Sequence, residues 1–518
     1  MKKTLEQANT WLAQHTAQVQ KRYQPSYHAY VPCGWCNDPN GLIWYKGAVH
    51  LFYQHNPYAP QWDTMHWGHM SSSDFIHWQN HSVALAPDQP YDDGNGCFSG
   101  TAMEVDDKLY LMYTGVSNDR QQQCLAYSED GIHFSKLAGN PVISSEQLPH
   151  GYRPEDFRDP KIFQKDGTFY CLAGTKNDVG GNILLYRSED LHHWEFVGEL
   201  FSQNDQTASN YFCLPNAVCE CPDYTVIDGQ EVLIFSPQEM KGDGIRFQNR
   251  QCSVYMLGHL DFATGRFHYE LMEELDAGFD FYAPQTCHMP DGRTLLLGWK
   301  EGWERDYPTK EDGWVGSFTI PCELHVKNGK LYRTPAKEVL EYFCKTASYE
   351  HVSVCGEKQL PGIEGDRLML KVTARIGDAS RFGIRLFQDG QHETVLTCNT
   401  ADNLLTLDRS HSGIPIGGRE RDMACRRCHA CLKDGLLSLT IFLDVSSVEI
   451  FAADGEQVLT ANVYPDVGAE RKITFFSEDG TAEILQAEKY EIVEGAVEKK
   501  FDSPQTSLLR FSSLPQQK

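Results

Sequence analysis

The chain has 518 residues, too many for a single hydrophobic core, so two domains are expected. A net charge of −25 excludes nucleic-acid binding as its main role, because phosphate recognition needs a basic face. Hydrophobic residues make up 41% of the chain but never form an apolar run of about 20, which excludes a membrane-spanning helix.

The N-terminus, Met1-Lys2-Lys3-Thr4, leads into polar residues and not into the apolar stretch of an export signal. Seventeen cysteines without such a signal point to reduced thiols and a cytoplasmic location. Residues 1–25 read as a helix and lead-in, with Leu5, Ala8, Trp11, Leu12, His15 and Val19 recurring at helical spacing over 4–22.

From 26 to 334 one pattern returns five times. Trp35-Cys36-Asn37-Asp38-Pro39-Asn40-Gly41 precedes a hairpin turning at Gly47, and further hairpins turn at Asp107, Gly167, Gly229 and Gly292. The turn positions are spaced by 60, 60, 62 and 63 residues. A second mark keeps the same beat: Asp74-Phe75-Ile76-His77-Trp78, Asp130-Gly131-Ile132-His133-Phe134 and Asp190-Leu191-His192-His193-Trp194. Copies about 60 residues long, each with room for four short strands, predict a five-bladed β-propeller.

Eight or nine residues before each turn stand Asp38, Ser99, Asp159, Glu220 and Ala283. These positions begin the innermost strand of each blade, so their side chains are expected at one height around the axis. Three of the five are acids, and crowded like charges raise one another's pKa values. Paired carboxylates in a pocket with indoles and amides suit glycoside hydrolysis, where one attacks or stabilises and the other donates a proton. Asn37, Gln54, Trp62 and His66-Trp67-Gly68-His69 are the supporting polar and aromatic residues; each ring alone reads equally well as propeller core.

Residues 335–348, opening Pro335-Ala336-Lys337-Glu338, read as a linker helix with proline in its first turn. Residues 349–500 alternate apolar and polar in short runs such as Leu437-Ser438-Leu439-Thr440-Ile441, predicting an antiparallel β-sandwich. Within it, Cys425-Arg426-Arg427-Cys428-His429-Ala430-Cys431 imitates a haem or zinc motif, but no second ligand pair accompanies it, so no metal is assigned. Residues 501–518 read as a fraying tail.

Trp35-Cys36-Asn37-Asp38-Pro39-Asn40-Gly41, Phe98-Ser99-Gly100, Arg158-Asp159-Pro160 and Glu220-Cys221-Pro222, in this order, resemble the signature motifs of glycoside hydrolase family 32. The resemblance runs over nearly the whole chain and implies the same propeller-plus-sandwich fold. It implies a retaining β-fructofuranosidase acting on sucrose and short fructo-oligosaccharides, with Asp38 as nucleophile, Glu220 as acid/base and Asp159, held by Arg158, as transition-state stabiliser. Asn37, Gln54, Trp62, Phe98, Ser99 and Arg158 would line the fructose pocket, with Asp280 and Trp299 at its rim. No cofactor is implied, and the chain would work as a monomer or homodimer. Alternatives are hydrolysis of sucrose-6-phosphate, for which Lys300, Arg305 or Arg246 would hold the phosphate, fructosyl transfer, and non-catalytic sugar binding. Cys219 stands where the family commonly has tryptophan, and a lost indole beside Glu220 would change that acid's desolvation.

Overall fold

The computed structural model describes residues 4–205, 207–212 and 218–492; the expected tail and residues 493–500 of the expected sandwich lie outside this range. Among the described residues no helix is long and apolar enough to cross a membrane.

The N-terminal helix, Leu5–His15, is set by a capping box in which Thr4 accepts from the Gln7 amide and Gln7 from the Thr4 amide. It is shorter than its periodicity suggests. After a 3₁₀ turn at Thr16–Gln18 the chain is extended at Val19, and the Gln20 amide donates to the Asp312 carbonyl, a tertiary bond that replaces the next helical one. Asn9 accepts from the Val83 amide and docks the helix on the first blade.

Five antiparallel sheets follow, and their innermost strands are Gly34–Tyr45, Gly96–Val105, Arg158–Lys165, Cys219–Ile227 and Tyr282–His288. Each neighbours the next and the last neighbours the first, so the ring closes. The second sequence mark has a physical cause. Asp74, Asp130 and Asp190 each accept from the amides two and three residues on and from the histidine ring three residues on. One Asx-type turn therefore joins the third and fourth strands in blades 1, 2 and 3. Blade 5 is interrupted after Trp299, and within the insertion Trp314–Val315 pairs in parallel with Gly34 and Trp35 of blade 1, latching the ring.

Helix Lys337–Leu340 leads into the second domain, where Phe343–Glu364 and Lys472–Ile492 pair along most of their length. One half of Lys472–Ile492 pairs with Leu368–Arg375 and the other with Arg381–Gln388. A single sheet is thereby folded into two layers over an apolar core that includes Leu370, Ile384, Leu407, Ile441 and Phe475.

The domains meet through buried charge. His28 places its ring nitrogens 2.7 Å from Asp444 and 2.7 Å from Glu449, and Arg305 and Arg409 clasp Asp280 from both sides. Asp280 and Asp444 are deeply buried, yet Arg409 and Arg305 hold the Asp280 carboxyl below the usual range, and the His28 hydrogen bond, with the Lys300 charge and Ser26, holds Asp444 at about 2. Removing one partner of a buried pair leaves an uncompensated charge. His28→Ala is therefore expected to lower unfolding stability by about 3–5 kcal/mol. Chemical denaturation would measure this, and a loss below about 1 kcal/mol would place the interface strength elsewhere.

Candidate active site

Strand pairing fixes the true register at the axis. In every blade one extra residue bulges from the innermost strand near its start, and in blade 1 a second bulge follows between Asn40 and Ile43. The last paired residues before the bulge are Cys36, Phe98, Arg158, Glu220 and Tyr282. Equivalent positions are therefore not those obtained by counting back from the turns. Glu220 matches Arg158 and Tyr282, Asp159 lies one position further along, and Asp38 two. The three acids descend the funnel in steps and do not share one ring. Bulges re-aim side chains, and in blades 3, 4 and 5 the residue after the paired one takes a left-handed φ: +61° at Asp159, +48° at Cys221 and +47° at Ala283. Asp tolerates this conformation, whereas Cys and Ala are held in it by the surrounding sheet.

The funnel encloses a cavity of about 430 Å³. Asp38, Asp159 and Glu220 line it, together with Asn37, Gln54, Trp62, Phe98, Ser99 and Arg158. Asp38 is buried; its Oδ2 accepts from the Ser99 hydroxyl at 2.7 Å. Asp159 Oδ2 accepts from the Cys221 amide at 3.0 Å, and the Asp159 amide donates to Thr114 Oγ1. The Cys221 thiol lies 3.6 Å from Asp38 and 3.7 Å from Asp159, a soft contact bridging the two acids. Asn37 is fixed by the Trp35 indole N–H at 2.8 Å, and Gln54 donates to the Cys97 carbonyl at 2.9 Å. Trp62 stands at the rim, 41% exposed, edge-on to Phe98.

Glu220 is gripped on both oxygens. Arg158 donates to Oε1 through Nη2 at 2.8 Å and Nε at 3.2 Å. The Tyr282 hydroxyl lies 2.6 Å from Oε2 and 3.0 Å from the Ser236 carbonyl. One hydroxyl proton serves either oxygen. When Glu220 carries a proton on Oε2, Tyr282 accepts it and donates to Ser236; when Glu220 is ionised, Tyr282 donates to it. Tyr282 thus suits both forms of an acid/base. Arg158 lies 4.0 Å from Asp159, so its main partner is Glu220 and not the neighbouring acid as expected.

Burial raises the Asp38 carboxyl, and the Glu220 charge adds to the shift. Burial also lifts Asp159 well above the usual carboxylate range, opposed by Arg158 and reinforced by Glu220 and Asp38. Crowding in a buried pocket thus makes it costly to ionise Asp38 and Asp159 together.

Several expectations fail. Asp280 and Trp299 are not on the cavity wall. Asp280 is fully buried in the domain interface, and Trp299 packs against Trp35 and Trp303. Of the three cations offered for a phosphate, Lys300 is buried against Ser447, Arg305 is spent on Asp280, and Arg246 pairs with Glu273. Cys219 faces the apolar core between blades 3 and 4; the cysteine beside the acids is Cys221. Conversely, Asn95, Gln121, Gln238, Gln251, Trp303 and Glu304 line the cavity without having been singled out, and Tyr282 holds the acid. Tyr282 alone had a signal, since it stands 62 residues after Glu220, the repeat length.

Comparison with known proteins agrees with this geometry. The family models described as glycosyl hydrolases family 32 N-terminal domain and C terminal match residues 28–335 and 339–492. A sucrose-6-phosphate hydrolase from Escherichia coli is 35% identical over 90% of this chain and 94% of its own. A raffinose invertase from Escherichia coli is 34% identical over 93% and 98%. Among solved structures, a GH32 beta-fructofuranosidase from Bombyx mori in complex with sucrose matches with TM-score 0.79 and 32% identity, covering 94% of this chain and 97% of that one. The sucrose-6-phosphate hydrolase from Lactobacillus gasseri matches with TM-score 0.80 and 29% identity, covering 95% and 99%.

Proposed function

The chain belongs to glycosyl hydrolase family 32, and from that premise we propose that it hydrolyses the fructosyl bond of sucrose and short fructo-oligosaccharides with retention of configuration. Asp38 attacks the anomeric C2 while Glu220 protonates the departing glycosidic oxygen. The same Glu220 then deprotonates the water that releases fructose from Asp38. Asp159 accepts hydrogen bonds from fructose hydroxyls and balances the positive charge that develops at the transition state. Arg158 and Tyr282 hold Glu220 in position through both protonation states.

The observation that carries the choice of substrate is the charge of the cavity wall. Arg158 is the only cation among the described lining residues, and Glu220 and Asp156 already occupy it. The rest of the described wall includes Gln238, Gln251, Trp303 and Glu304: amides and an indole for a neutral sugar, and a carboxylate already paired with Arg250. The relatives named sucrose-6-phosphate hydrolase motivate the second reading, in which the phosphorylated disaccharide is preferred. We place the reaction in the cytoplasm, a reading supported by the sixteen described cysteines, all of them free thiols.

Specificity constants for sucrose, sucrose-6-phosphate and 1-kestose on one preparation separate the readings. The expected result is kcat/KM for sucrose at least about tenfold above that for its 6-phosphate, the factor that about 1.4 kcal/mol supplies. A preference for the phosphate ester would install the second reading, and no fructose from any of the three would refute the enzyme.

A further inference from the structure

Two stretches of the propeller supply the cavity residues that the proposed function gives to the leaving group: residues 238–251, between strands Gln230–Pro237 and Val254–Asp261, which contribute Gln238 and Gln251, and residues 303–304 in the blade 5 insertion. Both are fastened by one segment of the other domain. Glu420 accepts from the Arg250 amide at 3.1 Å and 3.2 Å, and also from Arg305. Arg250 in turn donates to Glu304 at 2.7 Å and pairs with Glu239. Arg421 donates to the Phe247 carbonyl at 3.1 Å and to that of Met240. Arg426, fully buried, donates to Asn249 at 2.6 Å and 3.1 Å, and Gln248 exchanges hydrogen bonds with the Arg427 backbone. Arg305–Asp306 pairs with Gly417–Gly418, and the Arg419 amide donates to the Glu304 carbonyl at 2.9 Å. The match is close-set: a Cβ on Gly418, whose φ is +110°, would lie 2.2 Å from that carbonyl.

We infer that segment 417–427 of the sandwich is a positioning element for leaving-group specificity, acting through Arg250 and Glu304 on the wall that faces the sugar beyond Glu220. The inference rests on the β-fructofuranosidase reading. It gives the Cys425-Arg426-Arg427-Cys428 motif a role that needs neither metal nor haem, because its arginines hold the catalytic domain's loop. It also lets residues about 200 positions or more from the acids bear on substrate choice without touching substrate. On that reading fructose sits against Asp38, Ser99, Arg158 and Asp159 of blades 1 to 3, and among the described residues this segment makes no hydrogen bond to those four.

Two variants test it, Glu420→Gln and Arg421→Lys, each assayed on sucrose and on methyl β-D-fructofuranoside, whose methanol leaving group is too small to reach the wall. The expected result is a fall of about tenfold in kcat/KM on sucrose, mostly in KM, with less than about twofold change on the methyl glycoside. The inhibition constant of fructose should stay at the parent value. Equal losses on both substrates, or no loss on sucrose in either variant, overturn the inference. If Glu420→Gln does not fold, Arg421→Lys, which keeps the charge and shortens the reach, decides by the same ratio. Parent enzyme that prefers another leaving group in the substrate panel corrects the substrate reading; the variants are then compared on that preferred substrate, and this inference is judged separately.

Discussion

Asp38→Ala and Glu220→Ala are each expected to abolish turnover of sucrose without unfolding the protein. Loss of the nucleophile should lower kcat by about 10⁴-fold or more, and loss of the proton donor by about 10²–10⁴-fold. The two should differ in kind. With a leaving group that needs no proton, such as a nitrophenolate, Glu220→Ala should regain much of its first step, whereas Asp38→Ala should stay inactive. Folding is expected to survive because both side chains border a cavity and neither fills the hydrophobic core. Asp38 is also a buried carboxyl crowded by Glu220, so its removal relieves repulsion. Near-parental activity in either variant would sink the assignment of roles.

Asp159→Asn is expected to move activity and stability in opposite directions. Activity should fall by about 10²–10³-fold, the scale seen when one charge-stabilising group is removed from a transition state. Stability should rise. Burial lifts the folded-state pKa of Asp159 above its unfolded value of about 4, so the folded protein holds a proton that the unfolded chain has released. Stability is then lost as pH rises through the interval from the unfolded to the folded value, and it stays lost above. Asparagine cannot ionise and escapes that loss. The melting temperature of Asp159→Asn should exceed the parent's by a few degrees near pH 8 and converge with it near pH 4. Calorimetry across that range checks the sign. An increment that instead grew towards acid would mean that the native pocket stabilises the Asp159 charge.

The sequence made the blade count legible because the turn glycines and aspartates are chemically demanded wherever a hairpin needs left-handed backbone, as at Gly47, Gly167, Gly229 and Gly292. The Asp-x-x-His turns were legible for a similar reason: one carboxylate satisfies two amides and a ring. Register at the axis was not legible. No residue type announces the second bulge of the blade 1 strand, between Asn40 and Ile43, so counting back from the turns aligned Glu220 with Asp38, whereas pairing aligns it with Arg158 and Tyr282. Asp280 and Trp299 were misplaced because an acid and an indole near a repeated motif serve a domain interface or a core as well as they serve a sugar. Nothing in the local sequence of Arg305 or Arg409 announces that they converge on Asp280 from different domains. Gln238, Gln251 and Glu304 were missed for the same reason: they are ordinary loop residues in the sequence, brought to the cavity by the packing of distant segments.

The most direct test of the account is to locate the fructosyl group during turnover. Glu220→Gln, lacking the base that activates water, should accumulate the covalent intermediate when given a fructoside with an activated leaving group. Proteolysis and mass spectrometry of the quenched enzyme should then find one fructosyl increment on the peptide containing Asp38. An adduct on Asp159 or another carboxylate, or release of the α-configured product with no adduct at all, would contradict a two-step displacement through Asp38.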